Sequence, residues 1–350
     1  MPAAQGTLRV SSFPIAQTDP ARISANGEVL LANHVCDYLV DIGAEKNQIQ
    51  PRLATEWSRS QDGLTYTFTL ASGVTFHDGS PFRAMDLSTP LYVSLQDRKD
   101  LIAQDIATNA FALVRLRTDR PPGNDPRVIQ ALKLATDREA IFQLVQQGYG
   151  AVGRDTPIGA IFNTHYTEQH SLPARDPQAA KELLAQAGYP NGLDLTLNLP
   201  NTLNFPDLAA AIKDQWAGAG INVTVSTLPE SAYYGEGRWL EVNLGITGWG
   251  HRPYPQFYPE VMLASGAKWN ETRFCDPQFD QLVQTAGSTL NEQTRINAYH
   301  EIQRSLIERG PLIVPYFFAQ YSVISNRFEG FQVKAFSGRS DLRVVRPAQG

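Results

Sequence analysis

Residues 193–225 read LDLTLNLPNTLNFPDLAAAIKDQWAGAGINVTV, and this stretch decides the fold class. Leu193, Leu195, Leu197 and Leu199 alternate with polar residues, the period of a strand with one face against a core. A helix is expected over about residues 206–217, and residues 221–225 alternate again. Strand, helix and strand in so short a span imply parallel strands joined by a right-handed crossover.

Working outward, a strand runs through Leu244 and Ile246 into Trp249. A helix opens at Asp276-Pro277, another covers residues 295–308, and residues 311–318 (PLIVPYFF) read as a buried strand. On the other side, residues 111–117 (FALVRLR) form a strand. Asp125-Pro126 then starts a helix with Val128, Ile129, Leu132 and Ala135 on one face. Thr136 and Glu139 fit a capping box for the next helix, with Ile141, Leu144 and Val145 as its buried stripe and Gly148 at its end. Asp176-Pro177 opens a third, with Leu183, Leu184 and Ala187 inward and Gly188 at its C-terminus. Helices alternating with strands give an α/β lobe, in which ligands sit beyond the carboxyl ends of the strands.

The first part of the chain is strand-rich. Leu64, Tyr66, Phe68 and Leu70 alternate, Val74 and Phe76 continue the pattern, and Asp62-Gly63 and Asp78-Gly79 supply turns. Residues 88–110 carry neither a clean helical nor a clean strand period and read as a junction.

A length of 350 residues favours two lobes over one core. With 42% hydrophobic and 19% charged residues the composition is that of a globular protein, and no apolar run approaches a membrane span. Thirty basic against 35 acidic residues give a net charge of -5, without the basic excess that nucleic acid requires. Cys36 and Cys275 are too few for a disulfide framework and too far apart in sequence for a metal motif; one optional disulfide remains open. The opening MPAAQGTL lacks the basic stretch and apolar core of an export signal.

Several motifs have plain alternatives. Residues 148–153 (GYGAVG) satisfy G-x-G-x-x-G but follow a helix, where a dinucleotide fingerprint follows a strand, so a loop is expected. His77-Asp78 has no nucleophile elbow to serve, which leaves a hydrolase without an assembled catalytic group. His165, Glu168 and His170 lie in a loop with no regular helical face for a metal. No catalytic residue, cofactor or metal is therefore expected. The most functional-looking segment is TGWGHRPYPQFY, residues 247–258, where a strand delivers an indole, an imidazole, a guanidinium and a phenol into a proline-rich turn. Trp249, His251, Arg252 and Tyr254 are the leading ligand-binding candidates, with Tyr233, Asn204, Phe205 and Phe13 as further ones; packing between elements is the alternative for Trp249 and Tyr254.

Phrases along most of the chain carry a resemblance. They are Thr18-Asp19-Pro20, CDYLV from Cys36, PRLATEW from Pro51, DGLTYTFTL, GVTFHDGSPFRAMD ending at Asp86, PPGNDPRVIQALKLATDREAI from Pro121, DPQAAKELLAQAGYPNG, CDPQFDQLV and PLIVPYF. In this order they resemble family 5 extracellular solute-binding proteins of ABC importers, the group of oligopeptide, dipeptide and nickel-complex binders. The resemblance implies a two-lobed α/β fold of the periplasmic-binding-protein kind, type II, in its large peptide-binder class. Relatives carry a longer stretch after the FHDG phrase, so a reduced first lobe is expected. The expected divisions are residues 1–86 in the first lobe, 87–110 as junction, 111–326 as second lobe, and 327–350 returning to the first.

The resemblance further implies a monomeric receptor outside the cytoplasm, with a peptide-like or other small polar solute and ABC permease transmembrane subunits as partners. A scaffold that no longer binds solute is the alternative. Peptide-binding relatives place an acidic residue after the Trp-Gly, where His251 and Arg252 stand here. Dipeptide binders also place an arginine near the start of the preceding helix, and residues 204–211 contain none. A planar guanidinium suits carboxylate or phosphate and repels ammonium. An anionic or carbohydrate-like solute, a modified peptide or an anionic chelate is thus favoured over a simple dipeptide.

Overall fold

The computed structural model describes residues 89–336 throughout and shorter runs within 29–86 and 340–348. Phe13, Cys36, Leu64, Val74, Phe76, His77 and the two Asp-Gly turns lie outside the described residues. The chain divides into two compact units, residues 1–108 with 319–350, and residues 109–318.

In the first unit, β1 (Val40–Ile42) pairs antiparallel with β2 (Ile49–Pro51), and β3 (Ala54–Arg59) with β4 (Tyr66–Leu70). β5 (Met85–Asp86) pairs antiparallel with Ser322 and Val323. Residues 89–110, read as a junction, instead hold helix α1 (Thr89–Leu95) and the first part of the 16-residue strand β6 (Leu101–Leu116). The period failed because most residues from Leu101 to Ala107 are half-buried or exposed on both faces, leaving no apolar alternation to read. Tertiary contacts fix α1: the Tyr92 ring lies 4.8 Å from that of Tyr321, and its hydroxyl donates to Asp105. Asp41 accepts from both Arg52 and Lys334.

The second unit is built on one sheet. From Phe111 to Leu116, β6 is buried on both faces, which is why its sequence is a nearly unbroken apolar run. Antiparallel to it lies β10 (Leu244–Trp249), then β8 (Leu193–Pro200) parallel to β10, then β9 (Ile221–Leu228) parallel to β8. The expected crossover is thus present, with α5 (Phe205–Ala217) between β8 and β9. Leu197 and Leu199 are fully buried, and Leu193 and Leu195 nearly so, while Asp194 and Thr196 are exposed. Each such leucine contributes about 2 kcal/mol. A slip of one residue would turn all four outward, so the hydrophobic effect fixes the register.

One sheet face is covered by α2 (Pro126–Leu134), α3 (Arg138–Gln146), α4 (Pro177–Gln186) and α5. The other packs Phe111, Leu113 and Phe317 against α7 (Phe257–Met262), α8 (Pro277–Ser288) and α9 (Glu292–Arg309). A short helix, α6 (Glu230–Tyr234), follows β9.

Asp125, Asp176 and Asp276 cap their helices as the sequence predicts, each carboxylate accepting a first-turn N–H ahead of a proline at the helix start. The capping box at Thr136 and Glu139 does not form. Asp137 caps α3 by accepting from the Ala140 N–H, because the Thr136 hydroxyl donates to Leu132 O and accepts from Trp216 Nε1. Nor is Leu144 inward: it is 70% exposed, and Phe142 joins Ile141 and Val145 inside. The helix ends on Gln147 in the left-handed region, followed by Gly148 at φ 83°.

The glycine-rich stretch after α3 is a loop leading into β7 (Ala151–Val152), which pairs with Tyr316 and Phe317. A Cβ on Gly153 would lie 1.8 Å from the Val314 carbonyl oxygen, so close backbone approach requires this glycine. The strand expected over residues 311–318 is interrupted: β11 (Leu312–Ile313) pairs with β6, and β12 (Tyr316–Ser325) begins after Pro315. β12 then passes into the first unit, where β13 (Phe328–Glu329) pairs with β14 (Arg346–Pro347). Cys275 is a free, exposed thiol. Among the described residues no helix is long and apolar enough to cross a membrane.

Candidate functional site

The carboxyl ends of β8 and β10 bring two loops together, residues 201–204 before α5 and residues 250–256 before α7. Leu203 of the first loop and Phe205 of α5 lie against Gly248 of β10, where a Cβ would stand 2.9 Å from the Phe205 ring and 3.9 Å from Leu203. Leu203 has φ 51° and is 69% exposed, a leucine held in the left-handed region at the rim.

Trp249, the last residue of β10, is anchored by its polar edge. Its Nε1–H donates 3.0 Å to Glu271 Oε1, and the Thr247 hydroxyl donates to the same carboxylate. Glu271 is fully buried and ion-paired to the equally buried Arg115, with Nε to Oε2 at 2.9 Å. The indole meets Phe257 and Trp269 edge-on, at centroid distances of 6.4 and 6.0 Å.

His251 is buried, and its Nδ1 accepts the backbone N–H of Asn109 at 2.9 Å. Burial, with the Arg252 charge adding to it, lowers its pKa to about 4. Tyr258 stitches the loop together: its hydroxyl accepts the Arg252 N–H and lies within hydrogen-bond reach of the Asn109 and Gly250 carbonyls. Burial pushes this phenol up to about 12. The Arg252 guanidinium carbon sits 4.8 Å from the centre of the Phe257 ring, and its Nη1 donates to the His251 carbonyl.

These contacts make stability pH-dependent. The imidazole titrates near 6.5 in an unfolded chain and near 4 when folded. As pH falls from 6.5 toward 4, the unfolded state takes up a proton that the folded state refuses. Stability is therefore full above about 6.5 and falls by about 1.4 kcal/mol per pH unit below it. His251→Asn, which retains an acceptor for Asn109, should flatten this part of a urea-unfolding pH profile. An unchanged slope would count against the assignment.

The other candidates separate. Tyr254 is 53% exposed on the loop. Asn204 is half-buried at the start of α5, with Oδ1 accepting from the Tyr316 hydroxyl instead of capping the helix. Tyr233 and Phe205 are core side chains, contrary to the ligand-contacting role expected of them. Phe205 packs under Gly248, and Tyr233 stacks edge-on with Tyr234. Burial raises the Tyr233 phenol well above its ordinary range. Sequence reasoning missed Glu271, Trp269 and Phe257. The aromatics were visible in KWNETRF and YPQFY, but Glu271 pairs with a residue 156 positions away, which no local pattern signals. No group of three or more His, Cys, Asp or Glu among the described residues is placed to hold a metal.

The family model of bacterial extracellular solute-binding proteins, family 5, matches residues 48–91 and 86–270. The chain belongs to this family. Among family 5 relatives, a probable di/tripeptide-binding protein 5 of Pseudomonas aeruginosa is 30% identical over 261 residues, 71% of this chain and 48% of that protein. Heme-binding protein A of Haemophilus influenzae is 28% identical over 233 residues, 64% of this chain and 42% of that protein. The chain thus spans less than half the length of these curated relatives. The fold is that of a substrate binding protein, CtaP, of Listeria monocytogenes (TM-score 0.84, 13% identity, 99% of this chain and 100% of that one). It is also that of a Pseudoalteromonas dipeptide binding protein in complex with Met-Leu (TM-score 0.77, 18% identity, 98% and 100%). These neighbours share the two-lobed α/β architecture.

Proposed function

We propose that this family 5 protein is the solute-binding receptor of an ABC import system. It works outside the cytoplasm as a monomer, capturing a peptide-like or other small polar solute and delivering it to the permease transmembrane subunits. The observation that carries this reading is the pair of loops at the carboxyl ends of parallel strands. There Trp249 is fixed by a buried carboxylate and Arg252 is laid on an aromatic ring, in the position where α/β sheets hold ligands. Side chains so pre-positioned lose little freedom when a solute arrives.

The test is calorimetric titration with the solute released from the purified protein and identified by mass spectrometry. Trp249→Ala and Arg252→Ala should each weaken binding about tenfold or more, about 1.4 kcal/mol. The far-UV circular dichroism should not change. Full affinity in both variants would sink the site. Binding should also raise the melting temperature, since the solute stabilises only the folded state.

A further inference from the structure

Three rings at the end of β10 form a closed triangle: Trp249 to Trp269 at 6.0 Å, Trp249 to Phe257 at 6.4 Å, and Phe257 to Trp269 at 6.4 Å. The cluster is graded in burial. Trp249 is nearly covered, Phe257 is half-buried, and Trp269 is 37% exposed, an apolar surface leading from the interior outward. A cation flanks each of the two outer rings. The Arg252 guanidinium lies 4.8 Å from the Phe257 centroid, and Lys268 Nζ lies 5.7 Å from that of Trp269.

Local charge balance gives these cations their meaning. Glu271, beneath Trp249, is neutralised by Arg115. Glu260, on the helix that carries Phe257, has its carboxylate near the Gln256 amide, at 3.4 Å. Among the described residues, neither Arg252 nor Lys268 has a carboxylate within ion-pair distance, whereas Arg115 beneath the cluster has Glu271. With Glu271 neutralised by Arg115 and Glu260 keeping its single negative charge beside a neutral amide, the two cations over the aromatic rings still leave a net positive field above an apolar floor.

We infer that the solute held here is an anion with a flat apolar face, which lies on the Trp249, Phe257 and Trp269 rings while its carboxylate or phosphate groups meet Arg252 and Lys268. This rests on the receptor reading above and names the chemical class that reading leaves open. A free ammonium group finds only ring faces already flanked by cations and meets two like charges. Arg252 offers planar paired donors to one anionic group, and Lys268 a mobile point charge to a second.

The experiment titrates the full chain with three probes of similar size: N-acetyl-Phe-Glu, a dianion; N-acetyl-Phe-Gln-amide, which is neutral; and Phe-Lys-amide, a dication. The dianion should bind about tenfold or more tighter than the neutral probe, and the dication weakest. Arg252→Gln and Lys268→Gln should each reduce the dianion's advantage by about fivefold while leaving the neutral probe nearly unaffected. Salt should weaken the dianion alone. If the neutral or cationic probe binds as tightly, in a manner lost in Trp249→Ala, the receptor reading stands and the charge inference falls. If no probe binds, the charge of the co-purified solute decides: an anion supports the inference and a cation, zwitterion or neutral solute overturns it. No probe binding and no co-purified solute would sink both.

Discussion

Glu271→Ala is expected to lower the stability of the second unit by about 3–5 kcal/mol, because it leaves a guanidinium buried without its counter-charge. Arg115 and Glu271 are both fully shielded from solvent. Besides its bond to the carboxylate, Arg115 donates to the carbonyls of Val242, Asn243 and Trp239. Carbonyl dipoles solvate a charge but do not cancel it. The same substitution strips acceptors from the Thr247 hydroxyl and the Trp249 indole N–H, two buried donors whose lost pairing pushes the effect toward the upper end of that range. A urea titration should show the midpoint falling at constant slope. The double variant Arg115→Leu with Glu271→Leu should recover the part of the loss due to the unpaired guanidinium, since an apolar pair needs no counter-charge, while Thr247 and Trp249 still lack their acceptor. A Glu271→Ala protein within 1 kcal/mol of the parent would refute the account.

Asp155→Asn should be the second large effect, about 3 kcal/mol or more, and it isolates charge from shape. Arg138 grips the Asp155 carboxylate with Nε at 2.8 Å and Nη2 at 2.5 Å, and Asp155 Oδ1 accepts the Val314 N–H. Lys133 Nζ is 4.0 Å from the same carboxylate and donates to the Leu306 and Ile307 carbonyls near the C-terminus of α9. Asp155 has φ 53°, a conformation asparagine tolerates and alanine does not, so the amide is the cleaner probe. Without the carboxylate, two buried cations face each other unpaired.

Lys133 also gives this cluster a pH signature. Burial lowers its pKa to about 8, with Asp155 pulling the other way. Between about 8 and the unfolded value near 10.4, the unfolded chain holds a proton that the folded chain has released. Stability therefore rises with pH across that window, by about 1.4 kcal/mol per unit. The difference between the parent and Lys133→Met should grow in the parent's favour from pH 8 to pH 10, and a flat difference would contradict the assignment. Asp155→Asn should move the onset below 8, because the raising influence is gone.

How much was legible follows the range of the interactions. Asp125, Asp176 and Asp276 were readable as caps because their partners lie two or three residues away and a proline marks the helix start. The leucines of β8 were readable because every second residue faces one core. Thr136 and Asp137 compete for the same cap, and the choice rests with Trp216, 80 residues distant. Leu144 and Phe142 lie on one amphipathic turn, and the packing of α3 decides which is inward. At the site, Trp249 and Arg252 stand out by residue type and by their place after a strand. The carboxylate that fixes the indole, and the placing of Trp269 with its neighbour Lys268 beside Trp249, emerged only when separate loops met.

By itself, then, the sequence determined the α/β class, the parallel crossover from β8 to β9 and the helix starts, all set by hydrogen bonds within a turn or by periodicity within one element, and its phrases carried the family resemblance. Tertiary structure alone decided the pairing of Arg115 with Glu271, the burial of Tyr233 and Phe205, and the strand within residues 101–110. Each of these depends on which surfaces become neighbours, because burial and counter-charge are properties of a packed environment and not of a residue's local sequence.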